Sequence, residues 1–155
     1  MKLILKGMLI VFIYTALAMS CDKDDDDNQQ QESDLSQIEN TAQNGNWRVT
    51  YFYDSDKVET DHFNGYVFSF NANGSLVAVN GSTTITGTWS VTDSNSSDDD
   101  GGSSDTDFNI FFASPPDFED LSDDWDIVSV TNSKIELTDV SGGNGGTDFL
   151  TFEKI

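Results

Sequence analysis

Carboxylates are the main reactive side chains of this chain. The sequence holds 28 Asp and Glu against 7 Lys and Arg, with one cysteine, Cys21, and one histidine, His62. A single cysteine excludes an intrachain disulfide and a multi-thiolate metal site, and a single histidine excludes the paired histidines of zinc proteases. The formal net charge of −21 argues against binding to nucleic acid or to anionic lipid headgroups, because both need a basic surface. We therefore expect no nucleic-acid partner.

One run of acids has a spacing that suits calcium. In the polar segment 94–106 (SNSSDDDGGSSDT), Asp98 and Asp100 alternate ahead of a glycine, and Asp107 lies where a closing acid would be expected. A serine stands at the first ligand position and another replaces the usual apolar anchor, so the motif is incomplete. The sequence favours a solvated loop and no cofactor, with calcium at Asp98, Asp100 and Asp107 as the alternative.

A pair of carboxylates could also act as general acid and base. Most acids here cluster in hydrophilic loops, where both members of a pair would ionise instead of having separated pKa values. Asp126 and Glu136 are the acids within predicted strands that such chemistry could use, and solvent exposure on the strands is the simpler account. The chain has no G-x-S-x-G nucleophile motif. We therefore expect a protein that is not an enzyme.

The cysteine ends a segment with the features of an export signal. Two lysines make a basic start, and residues 8–19 (MLIVFIYTALAM) form an uncharged apolar run that is too short to span a bilayer alone. Small residues, Ala18 and Ser20, stand at the third and first positions before Cys21. This pattern resembles a bacterial lipobox, which implies cleavage before Cys21 and acylation of its thiol. The alternative is an ordinary secretory signal with a chance cysteine.

Charged residues follow the predicted cleavage site. Lys23, Asp24 and Asp25 belong to a run, DKDDDD, that resembles the lysine-plus-acid signal sending some Gram-negative lipoproteins to the cell surface. A solvated tether repelled by the anionic membrane is the alternative interpretation. The predicted location is thus the outer membrane, with acylated Cys21 in its lipid and the rest of the chain exposed at the surface.

The segment after these acids is poor in apolar side chains. Residues 28–40 (NQQQESDLSQIEN) cannot bury enough surface to offset the entropy of ordering, so they are predicted to be a flexible spacer with at most a helical turn at 35–38. The predicted organisation is therefore a signal peptide at 1–20, a lipidated cysteine and acidic flexible tether at 21–40, and a folded domain at 41–155.

The folded domain has apolar residues with a period of two, which is typical of β-strands. Residues 83–92 show this best, since Thr and Ser alternate there with Ile85, Gly87 and Trp89. Short turns between strands predict antiparallel neighbours. Eight of them would close into an all-β up-and-down barrel, which leaves no free edge, and a β-sandwich is the alternative. The predicted strands are 47–53, 64–70, 75–80, 83–92, 107–113, 124–131, 134–139 and 148–154.

Several of these strands carry a family resemblance. Residues 45–47 (GNW) resemble the G-x-W motif of lipocalins, in which the tryptophan closes the base of the barrel. The aromatic strands are similar in order to those of small lipocalin-like bacterial lipoproteins. The resemblance implies a lipocalin-like barrel over the folded domain. The chain departs from large lipocalins in being shorter, in lacking an evident C-terminal helix, and in having no arginine after Lys134 to stack over Trp47.

An eight-stranded barrel is wide enough either to be filled by side chains or to admit one small ligand. The candidate lining residues for a small apolar or glycan ligand are aromatic, and core packing is their competing role. These candidates are Trp47, Tyr51, Phe68, Trp89 and Trp125. The threonines of 83–92 are predicted to lie on the solvated outer face.

The sequence therefore predicts a noncatalytic, lipid-anchored lipoprotein of the cell surface with a lipocalin-like barrel that binds a small apolar or glycan ligand, or a protein. The alternative is a structural or accessory subunit of an outer-membrane assembly, with a filled barrel and no ligand. A packed interior favours the alternative, and a wide mouth lined by inward aromatic side chains favours the first hypothesis.

Overall fold

The computed structural model describes residues 26–93, 106–140 and 146–155. These ranges contain two α-helices, one 3-10 turn and nine β-strands. The helices are α1 (Asp26–Gln43) and α2 (Pro116–Glu119), and the 3-10 turn is Thr60–Phe63. The strands are β1 (Trp47–Asp54), β2 (Lys57–Val58), β3 (Val67–Phe70), β4 (Ser75–Asn80), β5 (Thr83–Asp93), β6 (Thr106–Phe111), β7 (Asp123–Val130), β8 (Lys134–Asp139) and β9 (Asp148–Lys154).

Eight of the described strands close into an antiparallel barrel. The strand order is β1-β3-β4-β5-β6-β7-β8-β9, and β9 pairs back onto β1. The two-residue strand β2 only extends the hairpin at the end of β1, where Tyr53 pairs with Val58. The predicted all-β up-and-down barrel is confirmed, and each of the eight predicted strands is present within three residues of its expected bounds.

Strand β5 shows how local sequence makes this wall. Gly87, Trp89 and Val91 are buried, and the threonines that alternate with them are exposed, so the predicted outer threonine face is confirmed. No residue larger than glycine fits at position 87, because an added Cβ would lie 2.6 Å from the Phe112 ring and would also clash with the Phe111 carbonyl oxygen. The missing side chain lets Phe112 pack across the inside of β5.

A β-bulge in strand β1 reverses which of its side chains point into the barrel. The register between β1 and β9 shifts between Val49 and Tyr51, so one extra residue is inserted there. Trp47, Val49 and Phe52 are buried, whereas Tyr51 is 41% exposed. Simple alternation predicted that Tyr51 would share the inner face with Trp47; this prediction is wrong because the bulge reverses the facing of the residues that follow it.

Aromatic rings fill the barrel. A continuous series of rings with centroids 5.4 to 6.5 Å apart crosses the interior, and most pairs have the edge-to-face geometry that aromatic quadrupoles favour. Each of these rings is 6% exposed or less. The series runs Trp125, Phe52, Phe63, Phe118, Phe68, Phe152, Phe70, Phe108 and Trp89.

Helix α1 covers the upper end of the barrel, defined as the end where β1 begins and β9 ends. Leu35 and Ile38 pack against the core, and Ala42 is fully buried. The predicted flexible spacer at 28–40 is instead helical, because Leu35, Ile38 and Ala42 recur at the three- and four-residue spacing of one helix face and dock on the barrel. In the described part of the chain, no helix is long and apolar enough to cross a membrane.

The indole of Trp47 joins α1 to the barrel. Its Nε1 donates a hydrogen bond to the carbonyl oxygen of Ala42 at 2.8 Å, and the ammonium of Lys154 lies 5.8 Å from the ring centroid. Lipocalins place an arginine over this tryptophan, and the sequence has no arginine at that point. In this structure Lys154, from the last strand, supplies the cation over the ring. Gly45 adopts a φ of +125°, and a Cβ there would lie 2.5 Å from the Lys154 side chain.

The lower end of the barrel is covered by the 3-10 turn and by α2. Phe63 from the turn and Phe118 from α2 are buried, with ring centroids 5.4 Å apart. The hydroxyl of Ser122 accepts a hydrogen bond from the Phe112 amide at 2.8 Å and fixes the segment that carries α2. Side chains therefore occupy the interior between two covered ends.

The Trp47 hydrogen bond allows a test of the upper closure. We expect Trp47→Phe to lower the free energy of unfolding by about 2 to 4 kcal/mol, because the buried Ala42 carbonyl loses its donor and part of the ring volume is lost. Tyr51→Phe, which removes a hydroxyl from an exposed ring on the same strand, is the control and should change it by less than about 0.5 kcal/mol. Urea unfolding measures both. Equal stabilities of the two variants would contradict the proposed role of this bond.

Candidate functional site

The aromatic residues predicted to line a ligand pocket belong mostly to the packed core. Trp47 and Phe68 are fully buried, Trp125 is 1% exposed and Trp89 is 6% exposed. The indole nitrogens of Trp89 and Trp125 donate to the backbone carbonyls of Asn71 at 3.0 Å and Leu121 at 3.1 Å. These four rings are therefore packed against other protein groups and do not face an open pocket. Tyr51 lies on the outer wall of the barrel.

Carboxylates gather at the lower end of the barrel. The oxygens of Asp54, Glu59 and Asp120 lie within 4.8 Å of one another. Burial raises the pKa of the Asp120 carboxyl, and the charges of Asp54 and Glu59 raise it further. Three carboxylate oxygens at this spacing could ligate a hard cation such as calcium or magnesium. They also repel one another when they are ionised.

The sequence did not reveal this carboxylate cluster. Asp54 ends β1, Glu59 precedes the 3-10 turn, and Asp120 follows α2, so only the covered lower end brings them together. The only local hint of such a cluster in the sequence was the high content of acidic residues in 117–124.

Of the three sequence-predicted calcium residues, the structure describes only Asp107. Asp98 and Asp100 fall outside the described residues. Asp107 lies on β6 and pairs with Thr92 and Asp126 on the neighbouring strands. Calcium at that loop therefore stays a prediction.

The two strand acids considered for acid–base chemistry lie on the outer wall. Glu136 accepts hydrogen bonds from the Lys134 ammonium at 2.7 Å and from the Ser129 hydroxyl at 2.6 Å. These two bonds lower the pKa of Glu136, which favours its ionised form. Asp126 is exposed and pairs with Thr138 in the next row of the same wall. Glu136 is thus arranged as an ion-pair acceptor, which is the opposite of a proton donor with a raised pKa.

A cleft of about 430 Å³ opens on the outer wall of the barrel beside the end of β6. Thr88 pairs with Phe111 across β5 and β6, and Ser90 pairs with Asn109 in the adjacent row, so these four side chains form a two-by-two block on the outer face. Phe111 is 57% exposed. The remaining lining residues are Trp89, Ile110, Ser122 and Asp123.

The cleft exists because β6 and β7 separate below Ile110. The last pair between these strands is Ile110 with Asp123, so among the described strands Phe111 has no neighbour on that side. The chain then turns inward, with Phe112 buried under the barrel. The sequence predicted both phenylalanines in one strand at 107–113 and contained no signal that one of them would border an open cleft.

Asp123, at the start of β7, is the most perturbed acid of the described residues. Burial raises the pKa of its carboxyl to about 6, with further contributions from a hydrogen bond to the Asp124 side chain and from the charge of Asp139. Asp139 itself ends β8 and is only 6% exposed. Asp123 and Asp139 thus add two more carboxyl groups to the acidic lower part of the barrel.

The remaining predicted site residues concern export. Cys21, Lys23, Asp24 and Asp25 all lie outside the described residues. Acylation of Cys21 and surface export through Lys23, Asp24 and Asp25 therefore stay predictions.

The raised pKa of Asp123 predicts a pH dependence of stability. Its pKa of about 6 in the folded state exceeds the value of about 4 for an unfolded aspartate, so the folded state loses stability as the pH rises from ~4 through ~6. Asp123→Asn cannot ionise, so its melting temperature relative to wild type should rise between pH 4 and pH 7 by a few degrees. Asp126→Asn, an exposed acid of the same strand, is the baseline. A relative melting temperature of Asp123→Asn that stays flat or falls over this range would contradict the assignment.

Comparison with known proteins finds a structural neighbour. No protein-family model matches the chain, and no curated protein matches it. Among solved structures, the chain is similar to a DUF4847 family protein from Bacteroides vulgatus, with 16% sequence identity and a TM-score of 0.45. The similarity covers 75% of this chain and 96% of that protein.

Proposed function

We propose that the mature protein is a noncatalytic lipoprotein, anchored in the outer membrane by acylated Cys21 and exposed at the cell surface, with a filled barrel that acts through its outer wall as an accessory or binding subunit. The observation that carries this proposal is the occupied interior. The Phe68 ring, for example, contacts the rings of Phe63, Phe118 and Phe152 at centroid distances of 5.4 to 6.4 Å. Side chains therefore occupy the axis of the barrel.

The covered ends support the same proposal. A lipocalin-type container needs an open mouth through which a ligand reaches the interior. Here Ala42 of α1 lies buried at one end and Phe118 of α2 at the other. Both are held by further contacts, the Trp47 hydrogen bond for Ala42 and the Phe63 ring for Phe118. Ligand entry would require one of these closures to unpack, whereas binding through the outer surface needs no such rearrangement.

The direction in which the chain enters the barrel supports membrane anchoring at its upper end. Helix α1 begins at Asp26, five residues after Cys21, and leads into β1 at the upper end. Five residues span at most about 17 Å. The carboxylates of Asp54, Glu59 and Asp120 lie at the opposite end, away from the point of attachment. This arrangement keeps that carboxylate cluster away from the proposed point of attachment.

The chemistry of the acids supports a role without catalysis. Glu136 is ion-paired with Lys134, and the carboxylates at the lower end repel one another without a nucleophile or base motif among them. His62, the single histidine, lies 3.7 Å from the Asp117 carboxylate on an exposed surface. We therefore propose a binding or accessory role with no covalent step.

The anchor is tested on protein produced in its export-competent, full-length form. We expect the N-terminal peptide of the wild type to begin at Cys21 and to carry the added mass of a diacylglyceryl group and an N-terminal acyl chain. Cys21→Ser should abolish this mass, whereas Ser20→Ala keeps a small residue before the cysteine and should retain it. Mass spectrometry of the N-terminal peptide is the measurement. An unmodified Cys21 thiol in the wild type would refute the anchor.

Surface exposure is read from the same cells. Joint replacement of Lys23, Asp24 and Asp25 by Ala should leave the acyl mass intact and reduce antibody labelling of intact cells. Equal labelling of the variant and the wild type would show that these residues are a tether and not an export signal.

The filled interior is tested with a small apolar probe. We expect benzene to leave the melting temperature of the wild type unchanged and to raise that of Phe68→Ala, because removal of a buried ring leaves a dry apolar cavity. Phe68→Ala should itself cost about 3 to 5 kcal/mol of stability. Phe149→Ala, which removes an exposed ring from β9, is the control and should not respond.

If Phe68→Ala does not fold, Leu150→Ala, which truncates another fully buried side chain of the interior, takes its place. Stabilisation of the wild type by benzene, equal to that of the cavity variant, would show open space inside the barrel and would restore the container hypothesis.

A further inference from the structure

We propose that the outer-wall cleft beside Phe111 binds a neutral sugar residue of a glycan chain. This inference rests on the proposed function only in that binding occurs on the outer wall. It adds the chemical class of the ligand and the residues that recognise it.

Phe111 supplies the apolar half of the site. Its ring is 57% exposed at the end of β6, where the neighbouring strand has already turned away and leaves one side of the ring open. A pyranose presents a flat patch of C–H groups that can stack on the face of such a ring. Phe111 therefore presents an exposed ring on an otherwise polar strand face, whereas the adjacent Phe112 fills the interior position.

Hydroxyl and amide groups supply the polar half. Thr88 lies directly across from Phe111, and Ser90 and Asn109 form the next row of the same face. The Nδ2 of Asn109 donates to the Thr92 hydroxyl at 2.9 Å, which orients the amide and leaves its carbonyl oxygen as an acceptor. Groups that both donate and accept are suited to the hydroxyls at the rim of a sugar, which also do both.

The charges of the side chains around the cleft disfavour anionic ligands. Strands β3 to β7 contain no Lys, Arg or His, so the wall around the cleft lacks a positive side chain from these strands. Two carboxylate-bearing rows lie beside it, since Asp124 pairs with Asn109 and Asp126 pairs with Asp107. These carboxylates would repel an anionic ligand. An uncharged sugar meets the hydroxyls and the ring without this repulsion, and a cationic ligand would be drawn to the carboxylates instead.

The volume of the cleft agrees with this ligand. About 430 Å³ falls within the range of small-molecule clefts and is enough for one or two sugar units. The cleft is open along the wall, so neighbouring units of a chain could continue into solvent.

The matched control is another exposed phenylalanine of the barrel wall. Phe149 on β9 is 40% exposed, and its ring lies 6.2 Å from the Tyr53 ring on β1. It is therefore partly covered by a neighbouring aromatic residue, and its row contains no counterpart of the Asn109 and Ser90 pair. Phe149→Ala removes the same side chain as Phe111→Ala from a different part of the wall.

The test uses the acylated, full-length mature protein in a detergent without a sugar headgroup. Soluble glucan, mannan, galactan and xylan are the neutral probes, polygalacturonate is the anionic probe, and chitosan oligosaccharide is the cationic probe. Affinity electrophoresis identifies binding, and calorimetry measures the affinity. We expect at least one neutral polysaccharide to bind, Phe111→Ala and Asn109→Ala each to weaken that binding about tenfold or more, and Phe149→Ala to leave it unchanged.

Circular dichroism melting keeps a folding defect distinguishable from a binding defect, since both phenylalanine variants should melt within a few degrees of the wild type. Binding of none of the neutral polysaccharides, or equal binding by wild type and Phe111→Ala, would overturn the proposal. Binding of chitosan alone would assign the cleft to a cationic ligand, and binding of polygalacturonate would contradict the charge argument. Each of these failures would leave the acylation of Cys21 and the filled interior unaffected, so the proposed function is judged separately.

Discussion

The pairing of the first barrel strand with the last is the constraint that holds the architecture together. Strand β1 bonds to β9 along most of its length, but it meets β3 at only one described pair, Trp47 with Phe68. Without the β1–β9 pairing the sheet would be open, and two long edges would be exposed. Closure with eight strands also fixes the interior at a width that side chains can fill. The aromatic series from Trp125 to Trp89 occupies that width, so the closing hydrogen bonds and the core packing stabilise each other.

A filled interior moves the question of function to the outside of the barrel. In a container the inner residues face a ligand, and their chemistry determines specificity. In this protein the inner residues face each other, and α1 and α2 cover the two ends. What remains available is the outer wall, where β5 and β6 present hydroxyls, an amide and an exposed ring, and the lower end, where carboxylates converge. The two surfaces differ in chemistry, since the first suits a neutral polar ligand and the second a cation.

The acidity of the described residues is distributed unevenly over this fold. Near the upper end, Arg48 pairs with Glu153 at 3.4 Å and Lys134 pairs with Glu136 at 2.7 Å on the same outer wall. Such exposed pairs contribute little stability, but they balance charge locally. At the lower end, the carboxylate oxygens of Asp54, Glu59 and Asp120 lie within 4.8 Å of one another, and Lys57 is the strand partner of Asp54. The carboxylate cluster thus lies at the end opposite the one through which the chain enters the barrel.

Local pattern was sufficient to predict the strands and the closed all-β architecture, because period-two alternation and turn residues act over a few neighbouring positions. It was not sufficient for the facing of Tyr51, since the bulge in β1 depends on hydrogen bonds to β9, about a hundred residues away in the chain. The docking of α1 on the barrel, the meeting of Asp54, Glu59 and Asp120, and the cleft beside Phe111 all became visible in the folded chain alone. Each of these features joins segments distant in sequence, and local pattern carries no information about how such segments approach one another.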